Sequence, residues 1–598
     1  MKNCEKLAAI RKLMAEKNID TYLVLSSDAH QSEYVSPYWR ARAFMSEFTG
    51  SAGTFLVTKD EAAVWVDGRY FLQGEEQTKG TDVQLMKMGE PGVPTFTEWM
   101  IEKTPENGVI GVDGRTIGHA QVLQLEPQLA KKNLTLSVKQ DLVGDIWADR
   151  PALPQDPIFD FSADLSGETR VDRLTRLRAH MAEKGADYYL VASLESSAWL
   201  LNYRGNDVQD TPVALAFTLV GKDSCTLFID ENKVTPELKA AFLADGIQVA
   251  GYDDVPKTLA SLPVSTLACD TRLINQLLFE SIPEGWKILN ENPDAIILMK
   301  AVKNETELKN VRLAHVKDGA VMIRFLKWVK EAIAAGEDLD EVDVAEHLDN
   351  MRRSQENSLG ISFGTIAGYG SNGAIVHYGP QKGSCAKVKP EGFLLVDSGA
   401  QYLEGTTDIT RTIAMGPLSD EMKTAYTLVL KGHLALGHAK FKEGITGTNL
   451  DVLARKPLWD HDLDYKHGTG HGVGFVLSVH EGPQNISFGL NSIALKPGMI
   501  ISDEPGYYPT GKFGVRIENL VEVKQGNRNE WGQFDYLESI TLCPYEKDAI
   551  DLALLTGEEI DQINEYHQRV YREVSPLLAE EPEVLNFLKE QTSPLQKP

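Results

Sequence analysis

Residues 394–412 read LLVDSGAQYLEGTTDITRT. An apolar run long enough for a buried strand ends on Asp397, a Ser-Gly pair follows, and Asp408 comes back on the returning stretch. If the chain turns near Glu404–Gly405, the two carboxylates meet across a hairpin. A second stretch of the same kind lies downstream. There Glu504 follows Met499–Ser502 and precedes Pro505-Gly506, and Glu518 sits within Val515–Leu520. Between the pairs lies HGTGHGVG (467–474), with His471 inside it. Charged side chains among apolar neighbours are costly to bury unless something pairs with them. Four carboxylates converging on one imidazole repel one another unless cations intervene, so Asp397, Asp408, His471, Glu504 and Glu518 point to a two-metal hydrolytic centre. Oxygen-rich ligation with a single imidazole suits Mn2+, Co2+, Fe2+ or Zn2+. Two such ions about 3.5 Å apart can hold a bridging hydroxide and polarise a carbonyl.

Other motifs fail on their residues. His467 and His471 have i, i+4 spacing, but glycines at 468, 470, 472 and 474 argue against a helix, and the segment is not H-E-x-x-H. Val473 stands where a G-x-G-x-x-G phosphate loop needs its last glycine. Ser398 has no G-x-S-x-G elbow, since Val396 replaces the first glycine. Cys385 sits in no distinctive context.

Outward from the site, the chain repeats itself. LMAEKNIDTYLVLSS (13–27) and HMAEKGADYYLVASL (180–194) align without a gap. An amphipathic helix precedes each, marked by Leu7, Ile10 and Leu13–Met14 in one copy and Leu174, Leu177 and Met181 in the other. A turn and an apolar strand follow. Copies this far apart indicate duplicated domains rather than a solenoid, whose periods run to about 20–50 residues. Pro151, Pro154 and Pro157 mark a linker. Asn304, with Glu307 three positions on, reads as the N-cap of a helix that carries Leu308, Val311, His315, Met322, Phe325–Leu326, Val329 and Ile333 on one face and ends near Gly336. The expected domains are 1–157, 158–303 and 304–598.

The chain has 598 residues, too many for a single core. Its net charge of −26 argues against a nucleic-acid partner, because phosphate binding needs a basic surface. The five cysteines are scattered and form no C-x-x-C pair, which fits a reducing compartment rather than a disulfide framework. MKNCEKLAAIRKLMAEKN lacks a signal-peptide core, and no window reaches the ~18 apolar residues of a membrane span. The expectation is a cytoplasmic protein without a membrane partner.

The segments AIVHYG, LLVDSGAQYLEGTTDITRT, HGTGHGVGFVLSVHEGP, SDEPGYY and GVRIEN resemble the pita-bread metallopeptidases, and within them the aminopeptidase P (Xaa-Pro aminopeptidase) type. DAHQSEY, RAFMSEFTGSAGT, WVDGRYFLQ and the closing INEYH are similar to its three-domain cytosolic form. The resemblance implies an α/β and α+β fold, with two creatinase-like N-terminal α/β domains followed by a pita-bread catalytic domain and a C-terminal extension. It implies metal ligation by Asp397, Asp408, His471, Glu504 and Glu518, with Asp408 and Glu518 bridging two ions, usually manganese. It places His377, His467 and His480 around the substrate and Arg516 beside the carboxylates. The implied reaction is hydrolysis of the bond before a proline at position two of a peptide, with Glu504 as proton shuttle. His377 and His480 would bind the substrate backbone and the developing oxyanion. His467 reads equally as a pocket wall or as a prop for the glycine loop. A homodimer is implied as well. The alternatives are prolidase, which generally has one N-terminal domain, the weaker case of methionine aminopeptidase, and a non-catalytic pita-bread module that binds peptides or proteins.

Overall fold

A computed structural model describes residues 1–597, in two compact units: 1–163 with 168–298, and 164–167 with 299–598. In the first unit the sequence repeat is also a repeat of structure. Helices Asn3–Lys17 and Arg170–Lys184 lead to strands Thr21–Val24 and Tyr188–Val191, at equivalent positions of the aligned copies. Leu7, Ile10 and Met14 face inward in one helix, and Leu174, Leu177 and Met181 in the other. Each helix stops at a left-handed residue, Asn18 with φ 56° and Gly185 with φ 70°. These are the residue types that adopt this conformation at least cost.

Each strand then takes the fourth place in a six-stranded mixed sheet. The first sheet runs Gln84–Lys87, Ala62–Val66, Thr54–Thr58, Thr21–Val24, Val109–Val112, Thr135–Ser137. The second runs Gln248–Ala250, Cys225–Ile229, Ala216–Gly221, Tyr188–Val191, Thr266–Cys269, Lys287–Asn290. Parallel and antiparallel neighbours fall in the same order in both. The segment with Pro151, Pro154 and Pro157 has no regular structure.

The second unit has a repeat that the sequence does not display. The long helix Glu305–Ala334 opens on Asn304, whose side chain caps Thr306 and Glu307 while Glu307 returns the bond. Its expected apolar face is buried, and it ends at Ala334, two residues before Gly336 (φ 81°). It packs with Glu341–Arg353 over strands Phe393–Ser398 and Ile409–Ala414, sharing a core of Val321, Phe325, Val344, Leu394, Val396, Ile409 and Ile413. Helices Asp420–Gly437 and Gly447–Trp459 do the same for Ile500–Asp503 and Asn519–Asn529, through Leu436, Leu450, Ala454, Ile501, Val521 and Val523. Two helix pairs, each covering an antiparallel pair of strands, make the pita-bread arrangement. Helices Gly557–Val574 and Pro582–Gln591 close the unit. AIVHYGP, which reads as strand-like, is instead a turn after a short 3-10 helix, Gly370–Ala374. The carbonyl of Val376 accepts from the Arg516 guanidinium rather than from a neighbouring strand. All five cysteines are free, and no helix among the described residues is long and apolar enough to cross a membrane.

Asp318, in the long helix, takes two parallel bonds of 2.9 Å from Arg352 and a third from the Tyr402 hydroxyl at 3.0 Å. Burial alone would raise this carboxyl, but Arg352 holds it below the ordinary range. Asp318→Ala leaves a buried guanidinium unpaired and is expected to cost about 3–5 kcal/mol. Asp318→Leu with Arg352→Met is expected to recover most of that loss, as checked by guanidinium-induced unfolding.

Candidate active site

Strand alternation decides which side chains reach the site. Leu394 and Val396 face the helix core, so Asp397 points to the opposite face of Phe393–Ser398. Ile409 and Ile413 do the same in the partner strand, which turns Asp408, Thr410 and Thr412 the other way. The register pairs Asp397 with Thr410 and continues through Gln401↔Thr406 and Tyr402↔Gly405, so the hairpin turns at Leu403–Glu404. In the second pair, Asp503 faces Asn519 and Gly506 faces Arg516 in one unbroken register. Glu504 and Glu518 are therefore directly opposite each other. The two hairpins are joined: Glu518 N–H donates to Thr410 O (3.1 Å), Arg516 N–H to Thr412 Oγ1 (3.0 Å), and Thr412 Oγ1 to Arg516 O (2.9 Å).

His471 arrives on the glycine-rich segment. Its N–H donates to Ser502 Oγ (2.9 Å), and Glu504 N–H donates to Thr469 O (2.8 Å). Gly470 and Gly472 are there because the backbone at those positions has no room for a side chain. A Cβ on Gly470 would lie 1.9 Å from Ser502 O, and one on Gly472 2.1 Å from Glu481 O. The His471 Nδ1 bonds Gly472 O at 2.9 Å, which leaves Nε2 facing Asp408 Oδ2 at 3.4 Å and Glu504 Oε1 at 3.6 Å. Donation from Nδ1 is the arrangement that frees Nε2 to bind a metal.

Asp408, His471 and Glu518 each offer a ligand atom within 4.8 Å of the others. Asp397 Oδ1, Asp408 Oδ1 and Glu518 Oε1 are buried and have no hydrogen-bond partner among the described residues. Burial and the neighbouring Asp408 and Glu504 carboxylates push Glu518 well up, and burial raises Asp397 even though Arg516 lies beside it. Burial also carries Glu504 to about 7, against the pull of His471 and Arg516. Burial would lower His471, but its bond to Asp408 and the charge of Glu504 outweigh that and bring it to about 9. Orphaned oxygens, mutual repulsion and an imidazole aimed at carboxylates are what a divalent pair would relieve. The residues fit such ions.

Arg516 is the one guanidinium in this cluster. Nη2 reaches Asp397 Oδ2 at 2.6 Å, Nε reaches Thr410 Oγ1 at 3.2 Å, and Nη1 reaches the Tyr508 hydroxyl at 2.8 Å. Thr410 in turn donates to Glu518 Oε2 at 2.7 Å. The Tyr508 hydroxyl also meets His467 Nε2 at 2.9 Å, and His467 Nδ1 lies 2.7 Å from Gly468 O. The His480 ring stands edge-on to His471, with centroids 4.3 Å apart. His377 is half-buried in the turn after Val376, whose carbonyl Arg516 holds. Thr410 and Tyr508 are absent from the sequence reading. Thr410 had a usable signal, since it shares a strand face with Asp408; Tyr508 had none beyond its nearness to Glu504.

The metallopeptidase family M24 model matches residues 309–525, and a model of the M24 C-terminal region matches 533–595. Two creatinase/prolidase N-terminal domain models match residues 6–140 and 149–307. Aminopeptidase P2 of Arabidopsis thaliana is 40% identical over 99% of this chain and 89% of its own length. The crystal structure of an X-prolyl aminopeptidase from Caenorhabditis elegans, described as a cytosolic enzyme with a di-nuclear active site, has a TM-score of 0.95 at 33% identity and covers 100% of both chains. The prolidase of Pyrococcus horikoshii has a TM-score of 0.50 at 25% identity and covers 63% of this chain and 99% of its own. With this identity along nearly its whole length and a fold shared from end to end, the chain belongs to the aminopeptidase P family of M24 metallopeptidases.

Proposed function

We propose that this protein removes the first residue from peptides whose second residue is proline, using two divalent metal ions. The observation that carries the reading is the convergence of buried Asp408 and Glu518 with the partly exposed His471, with Glu504 and Asp397 on the same two hairpins. Asp397, Asp408, His471, Glu504 and Glu518 would hold the two ions. Bound there, the ions would lower the pKa of water and polarise the scissile carbonyl. Manganese is the proposed metal, as the family resemblance implies, and the oxygen-rich donor set with a single imidazole suits it alongside Co2+, Fe2+ and Zn2+.

The chain's own groups supply the remaining steps. Glu504 takes a proton from the attacking water and returns it to the prolyl nitrogen as the C–N bond breaks. His480 and His377 donate to the substrate backbone and the developing oxyanion. Arg516 fixes the orientation of Asp397 and, through Thr410, of Glu518. His467 acts through Tyr508, where the two bonds on its ring support a positioning role beside the pocket. A three-part division at 1–157, 158–303 and 304–598, a homodimer and a cytoplasmic location complete the proposal. The cytosolic C. elegans relative supports the location. Peptidase rather than dipeptidase activity is favoured because the match to that aminopeptidase spans the whole chain, whereas the prolidase match covers 63% of it.

Assayed with Mn2+, the protein should cleave Arg-Pro-Pro; cleavage confined to Gly-Pro would make it a dipeptidase. Glu504→Ala should lower turnover by at least about 10²–10⁴-fold. Its circular dichroism should be unchanged, since the removed carboxylate repels its neighbours. Chelation should abolish activity and lower the melting temperature, because the ions bind only the folded state. The chelated protein should then become more stable as the pH falls from about 8 towards 5. Glu504 and Glu518 hold protons in the folded state that the unfolded chain releases, so their contribution falls as the pH rises through the folded pKa. His471, raised to about 9, contributes stability that is complete below about 6.5 and lost through 9. Melting curves with and without chelator across this range check the sign.

A further inference from the structure

His471 and His480 are nine residues apart in sequence, yet their rings are in contact. The loop between them closes where Glu481 N–H donates to Gly472 O at 2.7 Å. That carbonyl is also the acceptor that fixes the His471 ring. Inside the loop, Val476 is held at φ 52°, a conformation a β-branched residue adopts only when its surroundings over-determine it. The Glu481 carboxylate is what anchors the closure. It is 2% exposed and lies 2.6 Å from Lys300 and 3.2 Å from Lys303, which are themselves 4% and 0% exposed. A Cβ on Gly474 would come within 2.7 Å of Glu481 Oε2, so the loop backbone packs against this carboxylate. Lys303 is tied down in turn through its N–H to Gly498 O at 3.0 Å, one residue before Asn304 caps the long helix.

We propose that Glu481, clamped by Lys300 and Lys303, is a positioning residue that sets the ring orientation of His471 and the placement of His480. A buried ion cluster is a poor way to gain stability, because apolar residues of similar volume generally do as well or better. What it supplies here is direction: a carboxylate between two buried ammonium groups has one place to sit, and the same residue holds Gly472 O through its backbone N–H and directly follows His480 in the chain. The inference rests on the proposed role of His471 as metal ligand.

The test compares Glu481→Gln with the apolar triple variant Glu481→Leu, Lys300→Met, Lys303→Met. Each is followed by calorimetric titration of the chelated protein with Mn2+, by melting temperature, and by kcat and KM on Arg-Pro-Pro. Both variants are expected to bind one metal equivalent about 10–100-fold more weakly. Their kcat should fall, and the triple variant should regain the melting temperature without regaining affinity. Wild-type affinity for both equivalents in Glu481→Gln would overturn the proposal, as would affinity in the triple variant that recovers together with stability. If Glu481→Gln does not fold, Glu481→Asp, which keeps the charge on a shorter arm, is read in the same way. His471→Ala separates the two assignments. If it keeps both equivalents, the metal reading of His471 fails; if it loses one while Glu481→Gln loses none, only the role of Glu481 fails.

Discussion

The catalytic unit is organised around a repulsion. Asp397, Asp408, Glu504 and Glu518 are brought together with one guanidinium among them, and burial plus their mutual charge pushes Glu518 far above the ordinary carboxylate range. Arg516 beside Asp397, and His471 beside Asp408 and Glu504, offset only part of that repulsion. Geometry must therefore be imposed from outside, and two antiparallel strand pairs impose it. Each pair fixes the separation of its two carboxylates by register, and a register slip of one residue would turn every acid in that strand away from the site. The helix pairs behind the strands make such a slip expensive, because Leu394, Val396, Ile409 and Ile413 in one half, and Ile501, Val521 and Val523 in the other, would be turned out of their cores together.

This explains which parts of the molecule could be read from its sequence. Asp397, Asp408, Glu504 and Glu518 stand out because a carboxylate at the end of an apolar run departs from simple alternation. The Asn304 cap and the long helix face were legible for an equally local reason: capping and 3.6-residue periodicity are properties of neighbouring residues. The duplicated N-terminal sheets were legible because the copies kept their sequence. The two halves of the catalytic unit share an architecture without sharing a readable sequence, so that symmetry appears only in three dimensions. AIVHYGP misled because its β-branched residues favour a strand, while the carbonyl of Val376 is held by a guanidinium from a distant hairpin. Tyr508 and Lys300 were invisible for the same reason: their partners lie 8 to 181 positions away, a distance no local pattern reports.

The glycine-rich segment shows how tight the imposed geometry is. His471 is pinned to the Glu504 strand through Ser502 Oγ, and Thr469 accepts the N–H of Glu504 itself. The Thr469 hydroxyl is held by Asp451 at 2.5 Å, Asp451 by Arg455 at 2.6 Å, and Arg455 also donates to the carbonyl of His467 at 2.8 Å. The imidazoles thus sit on a backbone fixed from both ends. That rigidity matters for chemistry in which small displacements of a reacting group are costly.

Arg411 carries the same logic to the end of the chain. It is fully buried, and its guanidinium donates to Glu518 O at 2.7 Å and Thr410 O at 2.9 Å, one acceptor from each hairpin. Its remaining donors reach Pro544 O, Cys543 O and the Tyr566 hydroxyl, and Tyr566 lies on helix Gly557–Val574. A buried guanidinium left without acceptors costs several kcal/mol, so these carbonyls stabilise the arrangement in which Arg411 clamps the two hairpins together. The C-terminal segment is consequently part of the scaffold that opposes carboxylate repulsion. Asp397 and Asp408 come from one hairpin and Glu504 and Glu518 from the other, and Arg411 ties both hairpins to the loop carbonyls of Cys543 and Pro544 and to Tyr566 on helix Gly557–Val574.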